Sequence, residues 1–177
     1  MVDFQKIRSV CDKFSVISKS VVDDFLLYYV GEKDGLEQKI SRQLGNHRGI
    51  ITKMPEAWAG NSMSQYIAHK LFMKEGLAGR YFHHAEVQKR SPEELEYLRF
   101  QIENPWRFSY CSIKRQVYKH FYEMKDALSD ETFLVYSPCI SETLGELGYS
   151  PSLWFLLIGF NSECWQTYGT LAYFRGF

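Results

Sequence analysis

Ile102-Glu103-Asn104-Pro105-Trp106-Arg107-Phe108-Ser109-Tyr110 is the stretch on which the fold turns. The residue before a proline is disfavoured in helical geometry, so a helix arriving from the N-terminal side stops near Asn104. Beyond Pro105, Trp106, Phe108 and Tyr110 alternate with Arg107 and Ser109, the period of a strand with one covered face. Residues 97–177 hold 19 of the 29 aromatic side chains, and aromatic residues suit a pleated, half-buried surface. The chain therefore reads as a helical region, 1–104, and an antiparallel β region, 105–177. The fold class is α+β, with N-terminal helices packed on a mainly antiparallel C-terminal sheet as two layers around one core.

Upstream of this switch, Phe4, Ile7, Cys11, Phe14, Ile17, Val21, Phe25 and Tyr28 recur at steps of three and four, the stripe of one helix over about 3–30. Ser15–Ser20 marks a bend, and Gly31 and Gly35 flank a charged turn. A second helix is expected over Leu36–Leu44, stopped by Gly45-Asn46. Residues 46–61 read as a connection tucked in by Ile50, Ile51, Met54 and Trp58. Ser62-Met63-Ser64-Gln65 has capping-box form and predicts a helix over 63–75. Leu77–Lys89 reads as one short helix. Ser91-Pro92-Glu93-Glu94 combines an N-cap serine, a proline at the first helical position and a capping-box glutamate, so a helix begins there.

Downstream, Val117–Leu128 and Thr132–Tyr136 flank Ser129-Asp130-Glu131 as a hairpin. Leu153–Gly159 is apolar on both faces and belongs centrally in the sheet. Phe160-Asn161-Ser162-Glu163 supplies a turn, and Cys164–Phe174 returns as a further strand. From Pro138 onward Arg175 is the one basic residue. Such a charge-poor stretch calls for cover by helices, by a partner, or by chain continuing past Phe177.

Met124-Lys125-Asp126-Ala127-Leu128-Ser129-Asp130-Glu131-Thr132-Phe133-Leu134-Val135-Tyr136-Ser137 resembles a hairpin of uncharacterised bacterial proteins that carry a C-terminal SEC-C zinc motif. With the strands that follow, the resemblance spans about residues 105–177. The cysteine- and histidine-rich zinc tail is absent from this sequence. The resemblance implies a domain of unknown function and transfers no site residue.

Composition narrows the function classes. Lys+Arg number 21 and Asp+Glu number 21 in 177 residues. No whole-molecule field draws the chain to nucleic acid or anionic lipid. The longest apolar run, Leu153–Phe160, is too short for a membrane helix, which needs about 20 residues. The first residues lack the basic start and apolar stretch of a signal peptide. The reading is a soluble, cytoplasmic protein. Cys11, Cys111, Cys139 and Cys164 show no C-x-x-C spacing and read as reduced thiols, with no metal or cofactor implied.

Four chemistries have candidate residues in this sequence. Glu163-Cys164-Trp165 is compatible with a cysteine nucleophile, but the residues after it read as strand and no histidine lies downstream of it. His83 and His84 are adjacent and point about 100° apart on a helix, so one could serve a metal but not easily both; His69, His47 and His120 stand apart. Glu123-Met124-Lys125 has the E-x-K form of metal-dependent nucleases, with Glu103 upstream as a further carboxylate. Arg107, Lys114, Arg115, Lys119 and His120 interleave with Trp106, Phe108, Tyr110, Tyr118 and Tyr122, the residue types of single-stranded nucleic-acid grooves. The leading expectation is none of these. It is a non-catalytic protein-interaction or scaffolding module, whose charge-poor surface carries Trp154, Trp165, Tyr168, Tyr173 and Phe174 toward a partner protein or adjacent domain. A nuclease or phosphodiesterase using Glu103, Glu123 and Lys125 is the rival, and single-strand binding the third reading.

Overall fold

A computed structural model describes residues 2–45, 56–147 and 152–175. Its contacts divide the chain into two compact units: Ser15–Pro105, and Met1–Phe14 with Trp106–Phe177. The protein is α+β, with a mostly antiparallel sheet.

Helix α1 (Phe4–Ser18), counted with the unit of Trp106–Phe177 as far as Phe14, widens without a break into a π-helical segment, Lys19–Leu26, and continues as α2 (Leu27–Asp34) in the helical unit. The bend expected at Ser15–Ser20 is instead this widened turn. Arg90 Nη2 reaches the Ser20 carbonyl and hydroxyl at 3.4 and 2.8 Å, and its guanidinium lies 5.1 Å from the Phe25 ring centre. Gly31, expected in a turn, is buried inside α2. The turn comes at Gly35, whose φ of 58° is the left-handed cap that glycine adopts without strain.

Helix α3 spans Leu36–Gly45, and the expected stop at Asn46 lies outside the described residues. Helix α4 (Glu56–Phe72) starts earlier than expected and puts Ser62-Met63-Ser64-Gln65 in its interior. A serine caps only where its own backbone has left helical geometry, and here the preceding turn is already helical. Ile50, Ile51, Met54 and the Trp58 side chain lie outside the described residues. The helix expected over 77–89 is two short ones, α5 (Leu77–Tyr81) and α6 (Ala85–Gln88). Helix α7 (Pro92–Glu103) opens on the predicted box: the Glu94 amide donates to Ser91 Oγ at 3.3 Å and the Ser91 amide to Glu94 Oε2 at 2.9 Å. Asn104 closes it, its amide bonded to the Phe100 carbonyl at 2.9 Å.

In the second unit the sheet closes on itself. Strands β1 (Arg107–Tyr118), β2 (Phe121–Asp126), β3 (Thr132–Tyr136), β4 (Ser152–Phe160) and β5 (Trp165–Arg175) form a barrel in the order β1-β2-β3-β5-β4. Neighbours are antiparallel except β3 and β5, which run parallel through Val135↔Trp165 and Tyr136↔Gln166. The strand expected from Val117 divides: β1 runs to Tyr118, and Lys119-His120 turns the chain into β2, with His120 at φ 68°. Helix α8 (Pro138–Leu147) joins β3 to β4 in a stretch to which the sequence pattern assigns no element.

Alternation sorts the side chains. Cys111, Tyr122, Met124, Phe133, Val135, Trp154, Leu156 and Ile158 fill the inside, with Ile140 of α8 packed among them. Phe4, Ile7 and Cys11 of α1 pack against a second cluster on the barrel that includes Phe121, Leu134, Tyr136 and Cys164. Trp106 is 2% exposed and lies across Gly159, where a Cβ would fall 2.6 Å from its Nε1.

Candidate functional site

The barrel carries an aromatic face on its outside. Cross-strand pairing joins Tyr110 to Phe155, Ser112 to Leu153, and Phe108 to Leu157. On the other flank Leu153 pairs with Phe174, Phe155 with Ala172, and Leu157 with Tyr168. Directly paired residues share a face, so three rows of three cross β1, β4 and β5 without a charged side chain. Phe108 and Phe155 stack at 4.8 Å and 11°, and Tyr110 tilts against Phe155 at 4.7 Å. Tyr110 is 39% exposed and Phe174 49%. A bulge opposite Leu156, where Gly169 takes φ 72°, lets β5 swerve between Tyr168 and Ala172.

Of the five aromatics expected at an interaction surface, Phe174 is on this face and Tyr168 is half-buried at its edge, 5.0 Å from Trp106. Tyr173 is 37% exposed but has the opposite parity, against Trp154 at 5.3 Å. Trp154 is a correction: it is 1% exposed and fills the barrel interior. Trp165 is half-buried, with the Arg107 guanidinium 4.8 Å from its ring centre. Tyr110, Phe108 and Phe155 were missing from the expected surface, although their odd–even offset from Trp154 and Ser109 places them outside.

The residues of the nuclease reading fall in both units. Glu103 ends α7 in the helical unit. Glu123 and Lys125 do share the outer face of β2, yet each is engaged elsewhere. A bulge leaves both Lys114 and Arg115 opposite Glu123, and they bind its carboxylate at 3.2 and 2.8 Å. These two cations hold the Glu123 carboxyl below its ordinary value. Lys125 pairs with Asp130 at 2.8 Å. Arg107 is bound to Glu131 at 2.6 Å. Of the stacking candidates, Trp106 and Tyr122 are buried.

Two polar clusters remain. Ser141 of α8 joins the Tyr122 hydroxyl at 2.5 Å and His120 Nδ1 at 2.8 Å. Burial, then Lys119 and Arg8, lower the His120 pKa, and a neutral ring can take the Ser141 proton while Ser141 takes that of Tyr122. A serine nucleophile also needs its base oriented by a third group; among the described residues no carboxylate bonds His120 Nε2. The arrangement fastens α8 to the β1–β2 turn. The second cluster gathers Cys11, Asn161, Cys164 and Gln166, all at most 6% exposed. Cys164 stands at the entry to β5, not at a helix start, and its partners are Cys11 and Asn161. His84 Nδ1 meets the Tyr29 hydroxyl at 3.2 Å, burial lowers the His69 pKa, and His47 lies outside the described residues. Among the described residues no three of His, Cys, Asp and Glu gather as a metal site, and no helix is long and apolar enough to cross a membrane.

Compared with known proteins, the chain matches no family model, no curated protein and no solved structure.

Proposed function

We propose that the chain is a non-catalytic protein-interaction module whose contact surface is the outer face of β1, β4 and β5. The observation that carries this reading is the uncharged row Tyr110–Phe155–Ala172 beside Ser112–Leu153–Phe174, with its aromatic rings partly in solvent. Interface centres are enriched in Tyr and Phe and depleted of charge, and rigid aromatic anchors supply most of their energy. The engaged charges of Glu123, Lys125 and Arg107 form a polar margin elsewhere on the barrel. The test places a photocrosslinking amino acid at Tyr110, and at exposed Lys39 as control. A discrete protein adduct from position 110, absent from 39 and suppressed by Phe174→Ser, supports the reading. Equal labelling at both positions, with a monomer by light scattering, removes it.

Topology favours a second reading. Five strands in the order β1-β2-β3-β5-β4, with a helix between β3 and β4, form a Greek-key barrel of the OB kind, whose β2–β3 face holds oligonucleotides or oligosaccharides. Fold alone does not carry function. Here Phe121, Leu134 and Tyr136 on β2 and β3 pack with Ile7 and Cys11 of α1, and Glu123 is already neutralised by two cations. Single-strand binding therefore ranks second. It requires a salt-sensitive anisotropy rise with a labelled oligonucleotide; a flat titration at low salt ends it.

A further inference from the structure

We infer that Cys11 and Cys164 form a reversible oxidation site, closing to a disulfide under a hydroperoxide. Their sulfurs lie 3.6 Å apart, 153 positions apart in sequence, and both are buried. Free buried cysteines are ordinarily inert packing groups; this pair is set apart by the polar groups around it. Asn161 Oδ1 accepts the amides of Glu163 and Cys164 at 3.0 and 2.8 Å. That fixes the side-chain amide so that its NH2 faces inward, 3.2 Å from Cys11 Sγ and 2.7 Å from Gln166 Oε1. Gln166 in turn is oriented by Nε2 donating to the Cys11 carbonyl at 3.0 Å. The Asn161 amide is thus turned so that its N–H points at sulfur, 3.2 Å from Cys11 and 3.7 Å from Cys164, and Gln166 holds it there.

Such a donor suits a thiolate far better than a thiol. The Cys164 hydrogen bond, helped by the Asn161 N–H and opposed by burial, draws the Cys11 thiol below its ordinary value. The same contact drives Cys164 up. Asn161 Nδ2 is nearer to Cys11 Sγ, 3.2 Å, than to Cys164 Sγ, 3.7 Å, so Cys11 takes the part of the attacking cysteine and Cys164 that of the resolving one. The Cys11 thiolate attacks one peroxide oxygen, the O–O bond breaks, and hydroxide leaves and takes up the proton Cys11 had lost. Cys11 is now a sulfenic acid. The Cys164 sulfur attacks the Cys11 sulfur, the S–O bond breaks, and the departing hydroxide takes the Cys164 proton. Two thiols have lost two electrons, and one hydrogen peroxide has become two waters. The oxidant enters by local opening of α1, and the bond then fastens α1 to the barrel covalently.

The experiment uses the full chain carrying Cys139→Ser, which removes the one exposed thiol. The protein is treated with equimolar hydrogen peroxide, alkylated after denaturation, digested and weighed. The expected product is a Cys11–Cys164 linked peptide, lighter by two hydrogens than the two thiol peptides and split by dithiothreitol. Full alkylation of both cysteines, or oxidation beyond sulfenic acid without the link, overturns the inference. Asn161→Asp keeps the turn's acceptor oxygen, replaces the donor by an acceptor and sets a negative charge beside the Cys11 sulfur. It should slow linkage about tenfold, the loss expected when the thiolate fraction falls by one pKa unit. An unchanged rate in the folded variant removes the role given to Asn161.

Discussion

Asp126 shows how one buried carboxylate is stabilised. It accepts the Ser109 hydroxyl at 2.6 Å and the amides of Leu128 and Ser129 at 2.8 and 3.0 Å. Burial raises its pKa, and these bonds outweigh burial, so the net shift is downward. Asp126→Ala should cost about 2 kcal/mol, the scale for removing charge-assisted bonds from a buried group, as read by urea unfolding. Glu94 follows the same sign in the helical unit. Burial opposes, but bonds from Ser20, the Ser91 amide and Arg90 bring it to about 2. A lowered folded pKa gives stability that is whole above the unfolded value of 4.5 and is lost as pH falls toward 2. Glu94→Gln should flatten that acid limb in circular dichroism of pH-dependent unfolding. The lowered pKa of His120 acts near neutrality: its contribution is complete above 6.5 and falls as pH drops through the folded value. His120→Gln should remove this slope. Serine at 91 was legible because its partner is three residues away. Asn161 reads from sequence only as turn chemistry, since Cys11, the sulfur it faces, is 150 positions distant.

Among elements, β4 is apolar on both faces: Trp154, Leu156 and Ile158 point within the barrel, Leu153, Phe155 and Leu157 outside, with Leu153 and Phe155 half-buried. Its continuous apolar run announced a strand with neighbours on both sides, and β1 and β5 are those neighbours. Gly159 completes it by leaving room for Trp106. Gly159→Ala would set a Cβ 2.6 Å from the indole nitrogen and 2.8 Å from Cε2. It should cost about 1–3 kcal/mol, with a shift in tryptophan emission as the indole is displaced. The box at Ser91 and the stop at Pro105 were legible for the same reason: each is a local backbone rule. Ser62-Met63-Ser64-Gln65 misled because its spacing matches a box while the decisive quantity, the backbone angle at Ser62, is set by α4 as a whole. The mistaken surface role of Trp154 was avoidable, because the outward parity of Phe155 already assigns its neighbour inward.

For the whole molecule, matched charge at pH 7 and an uncharged aromatic face act together. Net charge near zero favours association, so solubility in polyethylene glycol precipitation should be lowest near neutral pH. Phe174→Lys should raise it there while leaving the unfolding midpoint unchanged. Closure of the sheet was not legible in sequence, because the pairing that completes it joins residues some 30 positions apart in parallel, without a hairpin signal. That seam has two registered pairs, Val135↔Trp165 and Tyr136↔Gln166, against the long ladders elsewhere. Loop-closure entropy is carried there by few amide bonds, so deuterium should enter the seam before it enters β1 or β4. Once parted, β3 and β5 are bare edges, each able to accept a foreign strand. The way this barrel would fail is by unzipping at that short join and swapping strands with a neighbouring copy.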